Sequence, residues 1–168
     1  PFADRSNSGV VADALLLPEA TQTEDLAGSR RAATSALVRL GEDPVSRPTL
    51  LLAAECRDAR PASPQAMAYG HGAAAVLVGE GTPVATIRGA ASWHDDLVDQ
   101  YRAADTDYDY ALEERWVREE GYHKLVPQAV RAALAAARLD MGEIHRVVLP
   151  ASAATSKGVA KILKTDDA

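Results

Sequence analysis

Apolar residues recur at helical spacing in four segments of the chain. The segments are residues 4–17, 30–40, 122–139 and 152–163, and in each of them apolar side chains lie three and four positions apart. Pro18 closes the first helix, and Ser6, Asn7 or Ser8 is its N-cap. Pro127 is compatible with the third helix only near its first turn, so we predict that this helix begins just after Gly121. The last helix directs four apolar side chains inward: Val159, Ala160, Ile162 and Leu163.

Shorter apolar segments predict strands. The unbroken run Thr49 to Glu55 indicates a strand that is covered on both faces. Residues 70–81 and 84–93 lie on either side of a turn and predict a β-hairpin. We also predict strands at residues 21–25 and 144–149. Proline and turn residues predict loops at 41–48 and 56–67. The alternation of helices and strands indicates the α/β class.

A short polar turn before the second helix is the most informative part of this pattern. Gly28 and Ser29 are turn and N-cap residues, and the alanines that follow let the helix lie deep in the protein. The N-terminus of a buried helix favours a thiolate or an anion, yet this one carries Arg30. A cation there is disfavoured by about 0.3–1 kcal/mol, so Arg30 needs a partner. That partner is either Asp25 or Glu24, or the carbonyl, carboxylate or phosphate of a ligand.

Composition excludes several classes of protein. The net charge of -6 argues against non-specific nucleic-acid binding. Cys56 is the one cysteine, so no internal disulfide forms, and the spacing of His and Cys predicts no metal site. No apolar run approaches the roughly 20 residues of a membrane span, and we predict a cytoplasmic protein without membrane contact. Because the 168 residues begin without methionine, we expect them to be a piece of a longer protein.

The order of these elements resembles the thiolase superfamily, and within it the branch of hydroxymethylglutaryl-CoA synthase and ketoacyl synthase III. The resemblance covers the whole chain and rests on these stretches: Asp25 with Thr34-Ser-Ala-Leu37, Leu50-Leu-Leu-Ala-Ala-Glu55, Gly70-His-Gly-Ala-Ala-Ala75, Glu119-Glu-Gly-Tyr122 and Ile144 to Leu163. It implies a thiolase-like layered α-β-α-β-α fold. Residues 1–168 would then be a single domain fragment from the middle of the chain, running from the end of the N-terminal half into the start of the C-terminal half.

The catalytic positions depart from that family pattern. The nucleophilic cysteine position falls at Arg30, and the histidine position at the end of a strand falls at Pro150. A guanidinium is no nucleophile and proline has no proton to donate. Cys56 does not fill the gap, because it aligns just beyond a strand rather than at the helix start.

The resemblance therefore implies two alternative functions. The first is an acyl-CoA-handling enzyme of lipid or isoprenoid metabolism, an acyltransferase or retro-aldol type, that makes or breaks a carbon–carbon bond next to a thioester without the usual cysteine. The second is a catalytically inactive subunit that is a scaffold for an active partner. In both, acyl-CoA is a substrate or ligand rather than a bound cofactor. The resemblance also implies a homodimer and an OB-fold, zinc-ribbon partner protein.

Several side chains are candidates for the chemistry. Arg30 stands at the family cysteine position. His71 lies inside the Gly-x-Gly turn, and His94 follows the predicted hairpin, where relatives line the acyl-CoA tunnel. His94 would pair with Asp95 or Asp96, although neighbours on a strand point apart. We predict that two further histidines, His123 and His145, lie at the surface.

The Asp- and Tyr-rich segment 101–110 has two interpretations. It is either a solvated loop with aromatic anchors, which we favour, or a place where a phenol beside a carboxylate serves in catalysis.

Overall fold

The computed structural model describes residues 4–42 and 47–165 and has a mixed α/β structure. In chain order its elements are α1 (Asn7–Ala14), α2 (Ala32–Glu42), β1 (Thr49–Glu55), α3 (Pro64–Ala68), β2 (Gly72–Val78), β3 (Gln100–Tyr101), β4 (Tyr110–Ala111), α4 (Glu114–Trp116), a π-helical turn (Val117–Tyr122), α5 (His123–Ala137), a 3₁₀ turn (Met141–Glu143) and α6 (Ala153–Leu163). The predicted loop 41–48 falls partly outside the described residues, and its first two positions belong to α2. The loop predicted at 56–67 contains the start of α3, because Pro64 fits the first turn and Ser63 caps it.

Strand β1 pairs with β2 in an antiparallel ladder from Thr49↔Val78 to Glu55↔Gly72. The predicted hairpin between β2 and residues 84–93 is therefore wrong. Residues 84–93 form no strand, because part of this segment packs between two helices. A Cβ at Gly89 would lie 2.7 Å from the backbone nitrogen of Ala137 at the end of α5, and Ile87 reaches Gly41 near the end of α2.

The β1–β2 ladder is covered unevenly, so the prediction of a strand covered on both faces is also wrong. Helix α2 contacts β1. Leu50, Leu52 and Leu77, which the register places on one face, are 39%, 43% and 71% exposed. Leu51 and Ala53 are half-buried, as alternation along the strand requires. The described chain thus leaves one apolar face of the ladder open.

Asp25 caps α1 from a distance in the sequence. Its Oδ2 accepts from the backbone N–H of Asn7 and its Oδ1 from that of Ser8, each at 2.7 Å. Ser6 is the local N-cap and accepts from Gly9 N–H at 3.0 Å. Both interactions place negative charge or lone pairs at the positive end of the helix. Residues 21–25 form no strand, contrary to the prediction, and the end of this segment serves as the cap.

Helix α2 begins two residues after Arg30 and lies near the surface. Gly28 adopts a left-handed φ of 83°, and the Ser29 hydroxyl accepts from Arg31 N–H at 3.2 Å, so the predicted turn chemistry is present. Only Ala36 of this helix is buried. We expected the start of this helix to be deeply buried, and that expectation is wrong within the described chain. Helix α2 packs only one of its faces against β1, and its other faces stay at the surface.

The third predicted helix, residues 122–139, begins earlier in the structure than its apolar stripe indicated. Helical backbone runs without a break from Glu114 through the π-helical turn into α5, and Pro127 is fully buried inside it. The prediction that Pro127 lies near the first turn is wrong. The wider π-helical turn directly precedes His123, whose carbonyl is the group that a proline at 127 would crowd in an ordinary helix.

Most of the buried apolar side chains of the described residues belong to α6, which packs against α5. Val159, Ala160 and Leu163 are buried as predicted, whereas Ile162 is 39% exposed. Ser152 caps this helix by accepting from Thr155 N–H. His123 lies against Gly158 with its Nε2 buried, so the prediction of a surface position for His123 is wrong. Residues 144–149 form no strand, because no described strand pairs with them.

The chain exposes far more surface than its mass predicts for a closed domain. Its accessible area is 13,098 Å². A compact monomer of this mass exposes about 8,000 Å². Much of the apolar surface therefore has no cover within this chain. Among the described residues, none of the helices has the length and apolar character that crossing a membrane requires.

We predict that Asp25 makes the stability of the α1 region dependent on acid pH. Hydrogen bonds from the Ser8 hydroxyl and from the Asn7 and Ser8 backbone lower the pKa of Asp25 from 3.8 to about 2. Because the folded pKa is the lower one, the stabilisation is complete above pH 3.8 and is lost as pH falls through about 2. An NMR titration of the carboxyl carbon should give that midpoint. Asp25→Asn should remove this part of the pH dependence, and Glu24→Gln should leave it unchanged.

Candidate functional site

An open depression of about 330 Å³ lies beside the ends of β1 and β2. It is lined by Arg30, Glu55, Arg57, Ala68, Tyr69 and Gly70. The turn before α2 supplies Arg30. Glu55 is the last residue of β1 and Arg57 follows two positions later, while the end of α3 and the residues after it supply Ala68, Tyr69 and Gly70. Two guanidinium groups, a phenol and a carboxylate thus share one wall.

The Arg57 and Asp109 ion pair anchors this wall. Arg57 Nε donates to Asp109 Oδ2 at 2.6 Å, and Arg57 NH2 donates to Asp109 Oδ1 at 2.7 Å. The Asp109 side chain is 1% exposed and that of Arg57 is 13% exposed. Two parallel hydrogen bonds between a guanidinium and a carboxylate fix both groups in one geometry. Arg57 also lies 3.7 Å from Glu55 Oε1.

Tyr69 completes this network. Its O–H donates to Asp109 Oδ2 at 2.6 Å. With the Gln100 amide turned so that its oxygen faces Arg30, the amide nitrogen donates to the Tyr69 oxygen at 3.2 Å. Burial, and then the hydrogen bond to Asp109, raise the pKa of Tyr69, so the phenol is neutral at physiological pH. The network therefore holds the phenol proton on the side of Asp109.

Arg57 and Asp109 both stay charged at physiological pH, because each pKa is shifted away from neutrality. Hydrogen bonds from Arg57 lower the pKa of Asp109 more than burial raises it. The same bonds raise the pKa of Arg57. An ionised carboxylate held in this way is a weak base. Asp109 consequently positions Arg57 and Tyr69 rather than accepting a proton from a ligand.

Arg30 is held more loosely than Arg57. Its NH1 lies 3.6 Å from Asp99 Oδ1, and the two side chains are 45% and 44% exposed. The Gln100 oxygen, in the turned orientation, also accepts from the Arg30 guanidinium. The predicted partners Asp25 and Glu24 are therefore wrong, since Asp25 caps α1 instead. The acidic partner comes from a position far along the chain.

Glu55 is the carboxylate that lines the depression, and it is only weakly held by its neighbours. Its side chain is 59% exposed, and its ion pair with Arg57 is 3.7 Å long. Arg57 directs its two short hydrogen bonds to Asp109 instead. Glu55 can thus accept a proton from a molecule in the depression, while Arg30 offers a positive charge beside it.

The predicted site residues are distributed over different environments. Arg30 lines the depression. His71 is exposed, and its Nε2 lies 3.3 Å from Cys56 Sγ. His94 is exposed, does not line the depression and makes no hydrogen bond with Asp95, Asp96 or any other part of the described chain. His145 is exposed, as predicted.

Most of the segment 101–110 is an exposed loop, as we favoured, and its two ends pair in β3 and β4. Its Tyr101 and Tyr110 are paired between β3 and β4 with ring centroids 5.5 Å apart. Asp109 is buried. A phenol does lie beside a carboxylate, as the other interpretation required, but the phenol is that of Tyr69.

Sequence reasoning missed Arg57, Tyr69 and Asp109 as members of one network. Arg57 and Asp109 are separated by 52 positions, and Tyr69 and Asp109 by 40. No local spacing reports contacts of that length. The alternation of Asp and Tyr near β4 was the only signal, and it does not distinguish a buried carboxylate from exposed ones.

Neither protein-family models nor curated proteins match this chain. Within residues 4–42 and 47–165, no three His, Cys, Asp or Glu side chains come together as a metal site. The chemistry of the depression therefore has to be argued from its own side chains.

We predict that Asp109→Asn destabilises the fold by about 3 kcal/mol, because it leaves the Arg57 charge mostly buried with only a distant carboxylate. Urea unfolding followed by circular dichroism measures this difference. Asp107→Asn removes the same charge from an exposed position two residues away and should change stability by less than about 0.5 kcal/mol. Equal effects of the two substitutions would show that the buried pair does not anchor the wall.

Proposed function

We propose that this chain belongs to a thiolase-fold protein that acts on an acyl-CoA, making or breaking a carbon–carbon bond next to the thioester. The observation that carries the proposal is that Arg30 and Glu55 both line one open depression. Such a reaction needs a base for the carbon next to the thioester and a positive charge for the oxygen of the enolate.

Each side chain has a definite part in this reaction. Glu55 accepts the proton from the carbon beside the thioester carbonyl. Arg30 stabilises the negative charge that develops on the carbonyl oxygen, and its long contact with Asp99 leaves the guanidinium able to turn toward a ligand. Arg57 and Tyr69 are fixed by Asp109 and shape the wall. No cysteine is needed for proton removal.

The arrangement of elements supports the resemblance to thiolases. A polar turn delivers Arg30 to α2, β1 follows, and β2 returns antiparallel to it with the Gly-x-Gly residues at its start. The layered α-β-α-β-α fold remains part of this proposal, as do a cytoplasmic location and an OB-fold, zinc-ribbon partner protein. Gly70 and Gly72 have open space where a Cβ would sit, so their small size would serve contacts beyond this chain.

The second candidate is a scaffold subunit without turnover. The observation that favours it is the engagement of the strongest groups of the depression with each other: Arg57 and Tyr69 both bind Asp109. Arg30 is permanently protonated and cannot attack a thioester. In this case the depression binds an acyl-CoA or a partner's acidic group and catalyses nothing.

We predict that the wild-type chain binds acetyl-CoA and exchanges its methyl protons with deuterium in D₂O, as measured by calorimetry and NMR. Arg30→Ala should slow the exchange by about 100-fold, because one charged donor to the enolate oxygen is lost. Glu55→Gln should slow it by at least about 100-fold with little change in affinity, because the base is lost and the exposed side chain keeps its size.

Arg31→Ala is the matched control for these variants. It removes the same charge from the neighbouring position, where the guanidinium bonds to Ser35 Oγ and does not line the depression. If Arg31→Ala and Arg30→Ala slowed the exchange equally, the effect would come from the change in net charge and not from the position of Arg30. Binding without exchange by the wild type would favour the scaffold, and a wild-type chain that binds no acyl-CoA would contradict both candidates.

We further propose a homodimer, in which the open face of the β1–β2 ladder is covered by the second copy. Burying Leu50, Leu52 and Leu77 would remove apolar surface that water now contacts. Sedimentation equilibrium should give twice the chain mass. Leu77→Lys, which places a charge on that face, should give the single-chain mass, and Lys157→Glu on the exposed side of α6 should not. A monomeric wild type would exclude the homodimer.

A further inference from the structure

The side chain of Gln100 joins the fixed part of the depression to its loosely held part. Gln100 is the first residue of β3 and is half-buried. In its turned orientation the amide nitrogen donates to the Tyr69 oxygen at 3.2 Å, and the amide oxygen accepts from the Arg30 guanidinium. Tyr69 belongs to the network of Asp109, whereas Arg30 has a long, exposed contact with Asp99. The amide of Gln100 therefore connects Arg30 to the buried carboxylate.

The two partners of Gln100 require an amide at this position. The Tyr69 O–H donates to Asp109 at 2.6 Å, so toward Gln100 the phenol oxygen can only accept. A guanidinium has N–H donors and no acceptor, so toward Gln100 the Arg30 side chain can only donate. A side chain between them must donate to one and accept from the other. An amide has both groups, whereas a carboxylate of the same size has no proton to donate.

The backbone around Gln100 fixes the place of its amide. Gln100 pairs with Ala111 of β4, and its backbone N–H donates to Asp99 Oδ1 at 2.6 Å. The same oxygen of Asp99 lies 3.6 Å from Arg30 NH1. The backbone N–H of Leu112 in turn donates to the Asp99 carbonyl at 2.9 Å. Two consecutive residues at the start of β3 thus contact Arg30, one with a carboxylate and one with an amide.

We propose that Gln100 is a positioning residue for Arg30. Its amide is held by Tyr69, and through Tyr69 by the buried Asp109, so it fixes the place of the Arg30 guanidinium beside the depression. The Asp99 carboxylate offsets the charge of Arg30, and an exposed contact of this kind breaks at little cost. The amide of Gln100 is neutral and leaves the charge of Arg30 available.

A ligand anion can therefore displace Asp99 while Gln100 stays bound to Arg30. The guanidinium then turns toward the ligand over a range that its hydrogen bonds to the amide restrict. A donor that is in place before charge develops on an enolate oxygen stabilises that charge without reorganisation. This use of Gln100 in an acyl-CoA reaction rests on the proposed function, whereas the positioning of Arg30 in the free chain does not.

The first test measures the Arg30 guanidinium in the chain without any ligand. Its rotation rate follows from the shapes of its nitrogen–proton NMR signals, which the spectrum of Arg30→Ala identifies. We expect Gln100→Met to speed this rotation by about 10-fold, because a hydrogen bond to a charged group is lost. Gln128→Met is the matched control and should leave the rate unchanged, since the Gln128 amide donates to the Lys124 carbonyl and does not line the depression. Equal rates in Gln100→Met and the wild type would overturn the proposal.

The second test compares two substitutions of Gln100 in the exchange of the methyl protons of acetyl-CoA. Gln100→Glu keeps the shape of the side chain, but it neutralises Arg30 and donates nothing to Tyr69. Gln100→Met leaves Arg30 charged and unfixed. We expect the exchange to slow by about 10-fold in Gln100→Met and by more in Gln100→Glu, with a smaller effect on the affinity for acetyl-CoA. A side chain that only filled space would give the opposite order, because Glu matches the shape of Gln better than Met does.

The two tests separate the role of Gln100 from the proposed function. A wild-type chain that exchanges no methyl protons would overturn the proposed function, and faster rotation of Arg30 in Gln100→Met would still support its positioning by Gln100. Wild-type exchange that persists at full rate in both Gln100 variants would count against the positioning role and leave the proposed function standing.

Discussion

The buried carboxylate of Asp109 is the constraint on which the candidate site depends. It receives two hydrogen bonds from Arg57 and one from Tyr69, and these three residues come from the end of β1, the approach to β2 and the edge of the β3–β4 ladder. A carboxylate with 1% exposure is tolerable only when its charge is neutralised and its lone pairs are used. The hydrogen bonds to Asp109 therefore join the β1–β2 ladder to the β3–β4 ladder.

This constraint also explains the different behaviour of the two arginines. Arg57 is held by two short hydrogen bonds to Asp109, whereas Arg30 is about half exposed and contacts Asp99 and Gln100. An exposed, long ion pair contributes little to stability, and breaking it costs little. The depression is therefore lined by one fixed cation, Arg57, and one mobile cation, Arg30. In such a site Arg57 would fix the shape of the wall, and Arg30 would move to contact a ligand.

The elements that rest on local spacing could be predicted from the sequence. Helices α1, α5 and α6 lie where apolar residues recur at helical spacing, and Ser6 and Ser152 cap two of them. The strands β1 and β2 were also predicted correctly. Their pairing was not, because we expected β2 to form a hairpin with residues 84–93, and that segment instead packs against α2 and α5. The ion pairs of Asp109 with Arg57 and of Asp99 with Arg30 join positions far apart in the sequence. The spacing of apolar residues along the chain gives no information about such contacts.

The π-helical turn before α5 has a consequence for how one helical segment faces its surroundings. A turn with an additional residue rotates the side chains on its N-terminal side relative to those that follow. Helix α5 turns its stripe toward α6, while Tyr122, at the end of the π-helical turn, has its pKa raised by burial and by the nearby charge of Asp99, and lowered in part by Arg30. Helix α6 also contacts the π-helical turn. The same continuous helical segment therefore packs against α6 and places the Tyr122 phenol near the charges of Asp99 and Arg30.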